Sequence, residues 1–539
     1  VQQAETAKPE EPLGYSRRQT LTATVMAAGI VQLPTAAVVV AIATIHAQFD
    51  ASIAELQWTV VAFFVPEVAL LIAAGRLADI YGRRRALLLG TALFAAGSVI
   101  AAASPGVEVL IGGIAISGIG AALLMPSSLS ILTNVFTGPS RGLAIGLWGA
   151  ATELISGVGV VIGGILTSDL SWRWIFGVDV VFAVLIAVLA LRGVPESSDP
   201  DAPREVDMTG VALSAAGLVT LTLALNEGSA WGWGSTQTVA LFIASAVSFA
   251  AFALAERRAD YPLMDFSFFR SRNFAGSTIV IFVMDFSFGA LLFFLPLYFQ
   301  ELLGYSPVSA GALMLPLTVT MVVGSPLGGR VAAKVGPRPP IVIGLALMAL
   351  AVFEISTLTL STTFSDLWLP TAIMGFGVGF SLTPMNLAAM NAISRRHAGA
   401  AGGILVTLSA LGASLGVAVT GAVFQELQTS RTVSLSAEHG VHVTQSQAQS
   451  LDGLLAGTPG STHALHQIAG ADTAGIHDAV REAFVSALGT SLKISAALVA
   501  AGVVLTLVLM RKSSPVDAEP TVQVAAPPTR PAPRTAVAT

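Results

Sequence analysis

Stretches of about 20 apolar residues recur along the whole of this chain, and they leave few folds open. A helix of that length crosses the ~30 Å hydrocarbon layer of a bilayer. Backbone groups in lipid must bond within their own segment or around a closed barrel, and these stretches lack the alternation of barrel strands, so each reads as a helix. They fall near 21–45, 58–77, 86–104, 108–131, 142–167, 174–193, 209–227, 237–256, 273–300, 308–333, 339–360, 366–393, 399–425 and 485–510, which makes fourteen spans. Charge agrees. Only 11% of the 539 residues are charged, where a soluble domain carries about 25%. The chain is expected to be an all-α integral membrane protein.

Orientation follows from the basic residues. Arg83, Arg84 and Arg85 follow the second span, Arg141 the fourth and Arg204 the sixth. Arg257, Arg258, Arg270 and Arg272 follow the eighth, Arg330, Lys334 and Arg338 lie at the tenth, and Arg395 and Arg396 follow the twelfth. Arg511 and Lys512 follow the last, while loops after odd-numbered spans hold almost no Lys or Arg. Both termini are therefore expected in the cytoplasm. Residues 1–16 are polar, so no cleavable signal peptide is expected. With no cysteine, disulfides and thiolate chemistry are excluded.

A polar turn, Gly75-Arg-Leu-Ala-Asp79-Ile-Tyr-Gly82-Arg83-Arg84-Arg85, separates the second and third spans. Gly329-Arg330-Val-Ala-Ala-Lys334-Val-Gly336-Pro-Arg338 repeats it in degenerate form. A polar hinge used twice in one apolar chain points to duplicated halves that move against each other. The glycines allow close passage of helices and loop. Asp79 suits capping of a helix N-terminus and pairing with an arginine of a neighbouring helix. Gly75, Asp79, Gly82, Arg83, Arg84, Gly329, Arg330, Gly336 and Arg338 are thus candidates for a conformational latch. The competing role, topology alone, does not call for Asp79 between two glycines.

This hinge resembles the loop signature of the major facilitator superfamily, and fourteen spans with a long outer loop before the last resemble its 14-helix drug:proton antiporter branch. Leu56-Gln57-Trp58, Gly118-Ile-Gly-Ala-Ala-Leu-Leu-Met-Pro126, Trp172-Arg173-Trp174-Ile-Phe176 and Leu303-Gly304-Tyr305-Ser306-Pro307 agree with it. The resemblance runs from about residue 20 to 512 and implies two six-helix bundles, two extra central helices and alternating access. It partitions the chain into a cytoplasmic tail (1–19), an N-terminal bundle (20–193), a linker with the two extra helices (194–272), a C-terminal bundle (273–512) with outer loop 426–484, and a Pro-, Ala- and Thr-rich tail (513–539) expected to be disordered. Gly157, Gly159, Gly163 and Gly164 resemble the exporters' antiporter motif, with Val160 where that motif has proline. Small residues there let helices approach closely, so gating and plain packing are both open.

Two departures matter. The family's acid in the first span is replaced by Pro34, and the arginine and nearby glutamine of its fourth span by Ile114 and Ser117. The usual proton relay cannot be transferred. An acid inside a span costs ~2.5–3.5 kcal/mol and needs a cavity or a partner, so the deep acids Glu153, Glu67 and Asp285 are the proton-coupling candidates, Glu153 first. Asp179 and Glu354, nearer span ends, are expected to reach water or a partner. Lys493 is expected to snorkel.

Gln32, Phe63, Phe64, Trp148, Phe286, Phe288, Phe380, Met385 and Asn386 are candidate cavity-lining residues, since aromatic and Met side chains suit bulky apolar ligands. For each of them the competing role is lipid contact or core packing, which is the commoner fate of such side chains in a span. The outer-loop histidines match no metal-ligand spacing. No Walker loop or HExxH is present, and Gly412-Ala413-Ser414-Leu415-Gly416, though it matches Gly-x-Ser-x-Gly, lies inside an apolar span and not at a strand-to-helix elbow, so neither an ATP-driven pump nor a hydrolase is expected, and nothing suggests nucleic acid. The expectation is a monomeric, multi-pass cell-membrane exporter of amphipathic small molecules among lipids, with no cofactor and the proton gradient as energy source. A lipid or metabolite carrier without proton coupling, and a non-transporting sensor, are the alternatives.

Overall fold

The structure is a computed structural model that describes residues 16–136, 139–198, 207–259, 266–393, 398–469 and 473–510. The first half holds α1 (Arg17–Phe49), α2 (Ile53–Tyr81), α3 (Arg83–Ala102), α4 (Val107–Val135), α5 (Pro139–Asp169) and α6 (Arg173–Gly193). Next come α7 (Met208–Trp231) and α8 (Thr236–Glu256). The second half holds α9 (Arg272–Leu297), α10 (Pro307–Leu313), α11 (Leu315–Val335), α12 (Arg338–Ile355), α13 (Phe364–Asn391), α14 (Ala398–Glu438), α15 (Gln445–Gln449), α16 (Pro459–Ala469) and α17 (Thr473–Leu509). Among the described residues thirteen spans are long and apolar enough to cross a membrane. The 31-residue α5 completes the fourteen expected.

Local chemistry sets the boundaries. Ser52 and Glu55 form a capping box at the start of α2, and Thr363 and Asp366 do the same for α13. Ser16, Ser235 and Ser306 accept from backbone N–H groups in the first turns of α1, α8 and α10. Gly82 and Gly336 end α2 and α11 at φ of 115° and 85°.

The packing repeats. In the first half α1 packs on α5 and α6, α3 on α4 and α6, and α2 on α4. In the second half α9 packs on α14 and α17, α12 on α13 and α17, and α11 on α13. Each pairing has its counterpart, which is the duplication the two hinges implied. Helix α7 lies against α2 and α14, and α8 packs on α7.

Two features add detail to the expectations. The tenth span is broken: α10 stops at Leu313 and α11 restarts after Met314, because Pro316 sits in the first turn of α11 where a continuous helix needs its missing N–H. Segment 426–484, expected as a long outer loop, is largely helical among its described residues. Helix α14 runs on to Glu438, α17 begins at Thr473, and the described residues between, 439–469, fold into a small cap. Its Val443, Leu451, Leu454, Leu465, Ile476 and Val480, thinly spread in a polar stretch, collapse onto one another.

Candidate functional site at the bundle interface

The two bundles have a terminal end and a far end. Ser16 donates its N–H to Gly193 O at 3.1 Å at the terminal end, where α6 and α1 meet. At the far end the polar contacts cross from one bundle to the other. Gln300 Nε2 donates to Val40 O at 2.8 Å, His46 Nδ1 meets Glu301 Oε1 at 2.8 Å, and Val308 N donates to Ser168 Oγ at 3.1 Å. At the terminal end Asp79 accepts from Arg83 Nε at 2.9 Å and from Ser130 Oγ at 3.4 Å, all within the first bundle. Arg338 donates to Leu507 O within the second.

The small face of α5 makes the far-end seam possible. A Cβ on Gly159 would touch Ala36 and Leu33 of α1, and one on Gly163 would fall 2.6 Å from Ala37 O. A Cβ on Gly164 would fall 2.7 Å from Pro307 O, across the seam on α10. From the other side, a Cβ on Gly311 would meet Val160 O at 2.8 Å. So this glycine run packs one face on α1 and offers the next to the opposite bundle. Gly157 and Glu153 lie on α5, and beyond that place they fall outside the described residues.

Where the resemblance expects an acid and an arginine there is a small apolar recess, lined by Pro34, Val60, Phe63, Ile114, Ser117 and Phe176 among others. Glu67 follows Phe63 by one turn of α2, on the same face. It is 5% exposed and makes no hydrogen bond or ion pair among the described residues. Asp285 is half-buried and partnered. Asp179 is fully buried between α3 and α6 with Ser98 Oγ at 3.5 Å, so it meets a partner and not water. Glu354 and Lys493 are exposed.

Of the cavity candidates, Phe288 lines a small apolar gap between the bundles, together with Val160, Leu292, Met314, Leu317 and Met321. Phe63 lines the recess and Phe64 packs edge-on against it. Gln32 is half-buried on α1, and Phe286 and Phe380 pair with Phe282 and Phe376. Met385 is fully buried in the core and Asn386 is exposed. Trp148 donates to Ser128 Oγ at 3.0 Å and packs with Leu21, Leu132, Phe136 and Ala144. Sequence reasoning missed Met314 and Met321, whose place on the gap depends on the break between α10 and α11.

The hinge works differently from its expected form. Asp79 pairs with Arg83, the first residue of α3, as expected of an acid beside a neighbouring helix. It does not cap that helix. Glu196, just beyond α6, accepts from Arg84 N at 3.1 Å instead, and Arg84 Nη2 donates to Leu191 O at 2.8 Å. A Cβ on Gly82 would fall 2.6 Å from Glu196 Oε1, and its φ of 115° is open only to glycine. Gly82→Ala is expected to destabilise the fold by about 1–3 kcal/mol, read as a lowered melting temperature in detergent. In the second hinge Gly329 abuts Thr383, Arg330 is exposed, and no acid stands where Asp79 does in the first.

Comparison with known proteins agrees with this architecture. A family model described as the Major Facilitator Superfamily matches residues 24–417. A tetracenomycin C resistance and export protein of Streptomyces glaucescens is 32% identical over 76% of this chain and 76% of its own. The multidrug efflux pump LfrA of Mycolicibacterium smegmatis is 30% identical over 88% of this chain and 92% of its own. A bacterial homolog of the human lysosomal transporter Spinster, inward-facing and occupied, aligns with a TM-score of 0.60 at 17% identity, over 92% of this chain and 97% of that one. The chain belongs to the Major Facilitator Superfamily.

Proposed function

We propose that this protein exports amphipathic small molecules across the cell membrane by alternating access, in exchange for protons. The terminal end carries the Arg83–Arg85 and Arg330–Arg338 hinges, and the positive-inside bias supports a cytoplasmic side for it and for both termini. The far end then faces outside. The observation that carries the reading is the distribution of polar contacts. The described ones that cross between bundles gather at the outer end, and the hinge contacts at the cytoplasmic end stay within each bundle. That is how a carrier closed outside is built. The interface gap is small, but its lining by Phe288, Met314 and Met321 would give an apolar ligand adaptable contacts once the bundles part. The relatives' names, a tetracenomycin exporter and a multidrug efflux pump, support a drug-like substrate.

The apolar recess at Pro34 and Ile114 supports a coupling site different from the family's usual one. Glu67 is the strongest candidate among the described acids, because it is buried, unpaired and one turn from that recess. The test is accumulation of a fluorescent aromatic cation in a drug-sensitive host expressing the protein. Lower accumulation, restored by a protonophore, supports the reading. Accumulation equal to that of the empty host contradicts it.

A further inference from the structure

The outer seam holds a cluster of titratable groups that transport chemistry has not absorbed. His46, in the last turn of α1, is fully buried. Its Nδ1 contacts Glu301 Oε1 at 2.8 Å, and its Nε2 is buried with no hydrogen-bond partner. Glu301 comes from the opposite bundle, on a π-helical turn (Tyr298–Leu302) that continues α9. Such turns are rare and gather at functional sites. Here the turn lets two successive side chains reach α1: Gln300 at Val40 O and Glu301 at His46. A third group comes from the cap, where Asp452 sits near enough to His46 to feel its charge and bonds to Gln425 of α14. The cap is also tied to the end of α1 through Gly460 N and Asp50 Oδ2 at 3.1 Å.

We propose that His46, Glu301 and Asp452 form a proton-binding lock on the outer gate, filled from the external side and joining first bundle, second bundle and cap only when that gate is shut. Several other ionisable groups at this end have partners of their own, while Arg431 of α14, His466 of α16 and His477, Asp478, Arg481 and Glu482 of α17 stand on the elements that carry or pack against the cap. Asp50 holds Gly460, Glu55 caps α2, and Arg173 binds Ser104 O. Glu227 binds Trp58, and Glu426 binds Trp233. The His46–Glu301 contact is an ion pair only when the imidazole is protonated. Burial pushes the Asp452 carboxyl up to about 7, against the pull of His46 and Gln425. Opened to water, a carboxyl of this kind returns to about 4. The closed gate therefore holds a proton that the open gate gives up between those two values. Acidification through that window favours closure, by up to about tenfold in the closed-to-open ratio per pH unit. In an antiporter this is the useful sign: after substrate leaves, an acidic exterior returns the carrier to its outer-closed form.

The proposal rests on the alternating-access reading, and one experiment separates the two. The cysteine-free chain accepts a clean label pair at Glu108→Cys and Ser361→Cys, exposed sites at the outer end of each bundle. Electron–electron distances are measured in nanodiscs from pH 8 to pH 5, with and without an aromatic cation. The short-distance population is expected to grow as pH falls through 7. Asp452→Asn is expected to hold it high at pH 8 and flatten the profile, and His46→Gln to lower it at every pH. A distribution that responds to the cation but not to pH, or a pH response unchanged in both variants, overturns the lock alone. A distribution that never changes under any condition overturns the lock and alternating access together.

Discussion

Gly164→Leu is expected to stop export while leaving the protein folded. Gly164 faces Pro307 and Val308 across the outer seam, and even a Cβ there would sit 2.7 Å from a backbone oxygen that cannot swing aside. Overpacking of this kind costs about 1–3 kcal/mol, which weights the outer-closed state down by about 5- to 150-fold. The open state escapes the clash, because the bundles have parted. Gly163→Leu is the control. Its neighbour is Ala37, inside the same bundle, so the clash persists in every state. It is expected to lower the melting temperature, whereas Gly164→Leu lowers transport and shifts the label distances outward. Equal loss of stability in the two variants would contradict a gating role for this face.

Glu67→Gln is expected to abolish proton-driven export and spare substrate binding. The glutamine keeps the shape of the side chain and removes the titrating group. An acid left without a partner in a bilayer costs ~2.5–3.5 kcal/mol, so its removal should hold or raise stability. The measurement is a pair: dye binding by fluorescence polarisation, and counterflow between dye inside and outside liposomes at equal pH. Binding and counterflow should survive while gradient-driven export falls to background. If gradient-driven export persists, coupling lies with Glu153 or Asp285.

The membrane helices were legible in the sequence because their signals are local. About 20 apolar residues, a serine or threonine cap and a glycine stop each act within one or two turns, so Ser52–Glu55 and Gly82 announce their roles. The first hinge was legible in part. Arg83 lies four residues from Asp79, but Glu196, which caps α3, lies 112 residues from Arg84 and carries no motif. The same limit hid the outer lock, whose His46 and Glu301 are 255 positions apart. The break at Met314 was hidden for another reason: hydropathy is blind to one proline in an otherwise apolar run. Polar composition likewise hid the cap, since its core needs only a few apolar residues that meet in space.

The central claim is that a proton gradient drives substrate outward through this seam. Purified protein in liposomes with an imposed pH difference and an aromatic cation dye tests it most directly. The account predicts dye movement against the proton flow, at a rate that collapses when the gradient is dissipated and is lost in Gly164→Leu. Dye movement at the same rate with and without the gradient would contradict it, and would make the protein a facilitator.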